Sequence, residues 1–194
     1  DTTAPSAWWQ ALGDEQLNRS RAIWSLPKAQ VSDEQHTEFF RRLSGSAEQE
    51  PLLRVHYSVD APLQFHALLY VPPKAPWDLY TRERRSGLRL YAKRVLISEH
   101  VEKLAPTYLR FLVGVVDSED LSLNVSRELL QEDRTLQKLE QQVGKQVLKA
   151  LRDLADNDKP KYELFWKEYG RVLKEGVAND PKNQPALVEL CRWE

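Results

Sequence analysis

Residues 114–131 read Gly-Val-Val-Asp-Ser-Glu-Asp-Leu-Ser-Leu-Asn-Val-Ser-Arg-Glu-Leu-Leu-Gln, and the chain changes character across them. Val115 and Val116 predict a short strand, the acidic residues that follow predict a turn, and Arg127 stands where a helix begins. A cation is misplaced at a helix N-terminus, where the backbone carries partial positive charge; when exposed it costs about 0.3–1 kcal/mol. Two explanations stand at this point. Arg127 pairs with Asp117, Glu119, Asp120 or Glu128, or it is held ready for an anion such as a phosphate.

Upstream of this junction the pattern is mostly β. Leu53–Val59 alternates, Leu63–Val71 is rich in β-formers and ends at Pro72-Pro73, and Leu88–Ile97 predicts a further strand buried on both faces at its apolar end. Residues 14–43 predict helix, broken at Pro27, with Ser32 as an N-cap for a second piece carrying His36, Phe39, Phe40 and Leu43. A helix is expected over Ala105–Val113, with Pro106 near its start. Downstream, Leu129, Leu136, Leu139, Val143, Val147, Leu151 and Leu154 fall at three- and four-residue steps. A second stripe runs from Tyr162 to Leu173 with Gly176 as its stop, and Asp180-Pro181 opens a third helix carrying Leu187, Leu190 and Cys191. The layout is helices, then strands with crossovers, then a three-helix tail.

Composition narrows the function. The 194 residues carry 29% charged side chains and a net charge of -1, so no global field draws the chain to nucleic acid or an anionic membrane. No apolar run reaches the length of a membrane span. With Cys191 as the one cysteine, no internal disulfide forms, and its place on an apolar stripe predicts a core thiol. The start Asp-Thr-Thr-Ala-Pro lacks both a signal-peptide layout and a methionine, so an excised or processed segment is expected.

Site chemistry is thin. His36, His56, His66 and His100 lack paired metal-ligand spacing, so no metal is expected. There is no nucleophile elbow, no Walker loop and no dinucleotide fingerprint. Arg82, Arg84 and Arg85 precede a strand face bearing Arg89, Tyr91 and Lys93; a solvated sheet face is favoured over a single-strand nucleic-acid platform. Trp8, Trp9, Trp24, Trp77, Trp166 and Trp193 are many for this length. Trp166 lies on a helical stripe and is expected in the core. Trp24 and Trp77 sit near chain breaks and are the candidates for exposed contact.

Residues 114–131 closely resemble the catalytic-loop signature of the ninety-kilodalton heat-shock chaperones. Phe65–Pro72 with Ala75–Leu79, Gly87–Ile97, Tyr108–Phe111 and Phe165–Gly176 match further family segments in the right order. The resemblance implies an α/β fold, a three-layer αβα sandwich with a mixed sheet followed by a short three-helix coil. Residues 1–130 would form the αβα unit and residues 131–194 the helical coil. It implies the middle domain of an ATP-dependent chaperone of the stress response. Arg127 would reach the phosphate of ATP bound, with Mg, in a preceding domain, assisted by Gln131 and Asn124; this segment alone would bind no cofactor and hydrolyse no ATP.

Trp24 resembles a client-contact position, and Trp77 and Leu96 resemble positions that face the N-terminal domain. The implied partners are that domain, a C-terminal dimerisation domain, client proteins and a second copy of the complete protein, with the segment itself monomeric. The implied location is the bacterial cytoplasm, with a mitochondrial relative as the alternative. Ser122 replaces a usual proline, Leu96 a usual phenylalanine, and Leu26-Pro27 a usual Arg-Asn pair. These departures motivate the second reading, a non-enzymatic protein-interaction module that kept the fold.

Overall fold

A computed structural model describes residues 22–45, 49–81, 84–121 and 134–191. Its centre is a five-stranded mixed sheet in the order β1-β2-β5-β3-β4, formed by β1 Leu53–Val59, β2 Phe65–Val71, β3 Gly87–Ala92, β4 Val95–Ser98 and β5 Val113–Ser118. Every neighbouring pair is antiparallel except β3 with β5, which run parallel. The central strand β5 is buried along its whole length. Gly114 permits its closest approach to β2, because a Cβ there would lie 2.4 Å from the Leu68 carbonyl oxygen.

One face of the sheet carries helix α1, Asp33–Ser44. It starts as expected at Ser32: the hydroxyl accepts from Gln35 N, and the Gln35 side chain accepts from Ser32 N. Gly45 stops it in the left-handed region at φ 68°. The expected helical piece before Pro27 is, over the described residues, a short 3-10 turn at Ile23–Ser25. A second such turn follows at Lys28–Gln30. Pro27 keeps Leu26 extended, which ends helix propagation.

The other face carries α2 Arg134–Asn157, α3 Lys159–Asn179 and α4 Gln184–Leu190. Their stripes share one buried cluster with Phe65, Ala67, Leu69 and Val71 of β2, while Leu68 and Tyr70 point to the α1 side with Ile23, Val31 and Phe40. This alternation is the two-residue period of a strand, and it yields three layers, α on β on α. Residues 130 and 131 lie outside the described residues.

Several local expectations need correction. Leu88–Ile97 is a hairpin: Lys93 and Arg94 adopt φ 51° and 67°, the two-residue turn that reverses β3 into β4. The sequence hid this turn because neither residue is glycine or asparagine. The apolar end of the segment is therefore the edge strand, with Val95 and Leu96 exposed. Residues 105–113 form a 3-10 turn at Thr107–Leu109 and then enter β5, since Pro106 precedes a segment tied to the sheet. Gly176 lies inside α3 and packs on the Tyr108 ring, and α3 continues to Asn179. Cys191 caps α4 half-buried, and Trp166 is likewise half-buried at the core's margin.

Candidate functional site

The parallel pairing of β3 and β5 brings their carboxyl ends together, with Tyr91 beside Asp117 and Ala92 beside Ser118. Chain segments leave the sheet here in two directions, into the Lys93-Arg94 turn and into the acidic run. Lys93 N donates to Ser118 O at 3.2 Å. The Asp117 side chain is 1% exposed. Its Oδ2 accepts the Trp24 indole N–H at 2.8 Å, and its Oδ1 accepts the Arg94 amide at 3.1 Å. Trp24 packs at 4.9 Å from the Tyr91 ring and 5.7 Å from Phe39, so it is half-buried rather than free.

The acidic run is also sewn to the entry of β2. Glu119 N donates to Gln64 O at 3.0 Å, Gln64 N donates to Asp120 Oδ2 at 2.6 Å, and Asp120 N donates to the Ser118 hydroxyl at 3.3 Å. Leu121 is 3% exposed and closes the anchored stretch. Arg127, Gln131, Asn124 and Ser122 lie outside the described residues. Of the carboxylates weighed as partners for Arg127, Asp117 and Asp120 already accept indole or backbone N–H groups.

Trp77 is 92% exposed, yet its loop is fastened on both sides. The Tyr169 hydroxyl lies 3.0 Å from Pro72 O and 2.9 Å from Lys74 O, and Ala75 N donates to the Glu168 carboxylate at 2.9 Å. Beyond Trp77, Asp78 pairs with Arg84, Leu79 is fully buried, and Arg110 Nε donates to Leu79 O at 2.9 Å. Tyr80 is flanked by Arg110 and Arg171, whose guanidinium carbons lie 5.6 and 4.5 Å from its ring centre. Arg110 also forks onto Glu175 at 2.7 and 3.0 Å, and that hydrogen bonding holds the Glu175 carboxyl below its ordinary range. Trp77 is thus an apolar side chain presented to solvent on a rigid mount. Leu96, 42% exposed, is presented differently, on the sheet's edge opposite Tyr91. Trp24, in the 3-10 turn Ile23–Ser25, packs on Tyr91 of the hairpin that carries Leu96, whereas the Trp77 loop is anchored to α3.

Beneath α1, His36 Nδ1 lies 3.0 Å from the Tyr70 hydroxyl, and the His36 and His56 rings are 5.5 Å apart. His56 Nε2 is 3.3 Å from Trp24 O. Burial, reinforced by Arg54, His56 and Lys28, lowers the His36 pKa to about 4, and burial lowers that of His56 as well. His56 lies opposite Leu68 on β2, and its ring turns to His36. Among the described residues no group of three or more His, Cys, Asp or Glu is placed to hold a metal ion, and no helix is long and apolar enough to cross a membrane.

A cavity of about 190 Å³ lies between the 81–88 segment and residues 102–112. Arg84 and Arg110 on its wall are paired with Asp78 and Glu175. Tyr91, weighed as a stacking surface for bases, is covered by Trp24.

The acceptor role of Asp117 was not foreseen. Its signal was present as a carboxylate in an apolar strand, which needs donors if it is to be buried.

The family model described as Hsp90 protein matches residues 9–194. The chain is 45% identical over 193 residues to chaperone protein HtpG of Bordetella avium, covering 95% of this chain and 30% of that protein. It is 47% identical over 180 residues to HtpG of Hydrogenovibrio crunogenus, covering 92% of this chain and 28% of that one. The chain therefore spans less than a third of the length of the curated relatives it matches. Its fold matches the middle domain of a heat shock protein from Plasmodium falciparum with a TM-score of 0.71 at 27% identity, covering 87% of this chain and 64% of that one.

Proposed function

This chain belongs to the Hsp90 protein family, and from that premise we propose that it is the middle segment of a longer ATP-dependent chaperone and delivers Arg127 to a nucleotide held by another domain. The observation that carries the reading is the anchored stretch Asp117–Leu121, which fixes the departure point of the chain six residues before Arg127.

Arg127 then acts as a charge-stabilising donor, with Asn124 and Gln131 as polar contacts in the same loop. ATP and Mg belong to the N-terminal domain; the chain's own residues supply charge to that pocket and bind no nucleotide themselves. Trp77 and Leu96 are the apolar contacts on which the N-terminal domain closes. Client segments meet the surface around Trp24, whose indole N–H is committed to Asp117 while its residual exposed edge stays open to contact. The complete protein dimerises through a C-terminal domain and works in the bacterial cytoplasm.

The test is Arg127→Ala in the complete chaperone. Turnover is expected to fall about a hundredfold or more, with nucleotide affinity unchanged. Unchanged turnover refutes the reading and leaves the protein-interaction module, which the Leu96 and Ser122 departures favour.

A further inference from the structure

Asp117 combines the burial of a core residue with the bonding of a joint. Its side chain is 1% exposed, and its two oxygens receive N–H groups from segments far apart in sequence, the Trp24 indole at 2.8 Å and the Arg94 amide at 3.1 Å. A buried carboxylate is tolerated only when such donors meet it, so the end of β5 is held where both can reach. The next residues extend the joint: Ser118 O accepts from Lys93 N, and Glu119 and Asp120 bond Gln64. Within four residues, 117–120, the chain is fastened to the Trp24 segment, to the β3–β4 turn and to the entry of β2.

We infer that Asp117 is a positioning residue for the loop that bears Arg127. Its carboxylate, gripped between indole and amide, sets where that loop leaves the sheet. Six residues separate Leu121 from Arg127, which bounds the reach of the arginine to about 20 Å from the anchored end, so the anchor limits where the arginine can be delivered. The inference rests on the role proposed above for Arg127.

Asn at 117 keeps the shape and reverses one atom. The carboxamide oxygen accepts from one of the two N–H groups, and its NH2 is set against the other. Replacing Trp24 by Phe removes the indole donor, leaving the Asn oxygen for Arg94 and nothing opposed to the NH2.

Three variants of the complete chaperone, Asp117→Asn, Trp24→Phe and the pair together, are compared with Arg127→Ala in steady-state ATPase and nucleotide-binding assays. Asp117→Asn is expected to lower kcat about ten- to hundredfold with nucleotide Kd unchanged, the magnitude of a small misplacement of a catalytic group. Trp24→Phe alone is expected to lower kcat several-fold, by about a factor of five, for loss of one of two tethers. The double variant is expected to turn over at the Trp24→Phe rate rather than at the product of the two losses.

A role confined to stability predicts instead independent losses, or losses that follow nucleotide affinity; either result overturns the inference. Should Asp117→Asn fail to fold, Trp24→Phe alone decides, and wild-type kcat in it overturns the inference. If Arg127→Ala abolishes turnover while both tether variants keep wild-type kcat, the inference falls and the role of Arg127 stands. If Arg127→Ala is itself inert, both fall.

Discussion

Acid should weaken this chain through His36 before it does so through the carboxylates. The His36 ring is 1% exposed and its pKa is lowered to about 4, first by burial and then by the nearby charges of Arg54, His56 and Lys28, with Asp33 opposing. In the unfolded chain the ring titrates at its ordinary value near 6.5. Between these values the unfolded state binds the proton and the folded state does not, so stability rises with pH across the window and is lost as pH falls. At pH 5 the loss relative to pH 7.5 comes to about 2 kcal/mol, approaching about 3 kcal/mol below pH 4. Asp33 and Glu175, whose carboxyls are held low by Arg54 and Arg110, add their own acid sensitivity only once the pH falls into the ordinary carboxylate range and below it.

The assay is urea unfolding at pH 7.5, 6 and 5, on wild type and on His36→Gln, which leaves a polar group for the Tyr70 hydroxyl and removes the titration. The variant is expected to be less stable at pH 7.5 but to lose about 2 kcal/mol less on going to pH 5. Parallel pH curves for the two proteins would refute the account, because they would mean the buried ring takes up its proton as easily as the unfolded one.

Two further outcomes follow from the Trp77 loop. Trp77→Ala should leave thermal stability within about 0.5 kcal/mol of wild type, since the side chain is 92% exposed, while lowering ATP turnover of the complete chaperone; a large stability loss would show that the indole is a core contact instead. Tyr169→Phe removes the hydroxyl shared by Pro72 O and Lys74 O, and should cost about 1–2 kcal/mol in denaturant unfolding with faster amide exchange over 74–79; unchanged exchange there would show that the loop is held by its ion pairs alone.

What could be read from the sequence divides by range. Ser32 announced the start of α1, Leu53–Val59 matched its strand residue for residue, and the stripe from Leu136 to Leu154 is buried as its spacing implied. Each of these depends on residues within one or two turns of one another. The failures share a different cause. Lys93 and Arg94 form a left-handed turn without turn residues because β3 is held by β5 and Ser118 O receives Lys93 N, contacts invisible at short range. Gly176 looked like a stop, but the glycine is needed for the Tyr108 ring. His36 and His56, twenty residues apart in sequence, meet only because the fold brings α1 and β1 together.

The same division applies to the site. Motif order was enough to name Arg127, Trp24, Trp77 and Leu96, yet it left them as separate residues on a line. Three-dimensional pairing connects two of them. Trp24 reaches Asp117, and Asp117, ten residues before Arg127 in the chain, reaches the turn that leads to Leu96. Trp77 is outside that linkage, mounted on α3 through Tyr169 and Glu168. Among the described residues a contact at Trp77 therefore has no hydrogen-bonded route to Asp117, whereas a contact at Trp24 or the β3–β4 hairpin acts directly on the carboxylate's two donors. The two surfaces should differ in kind: perturbing Trp77 weakens docking, and perturbing the hairpin changes the placement of the arginine after docking has occurred.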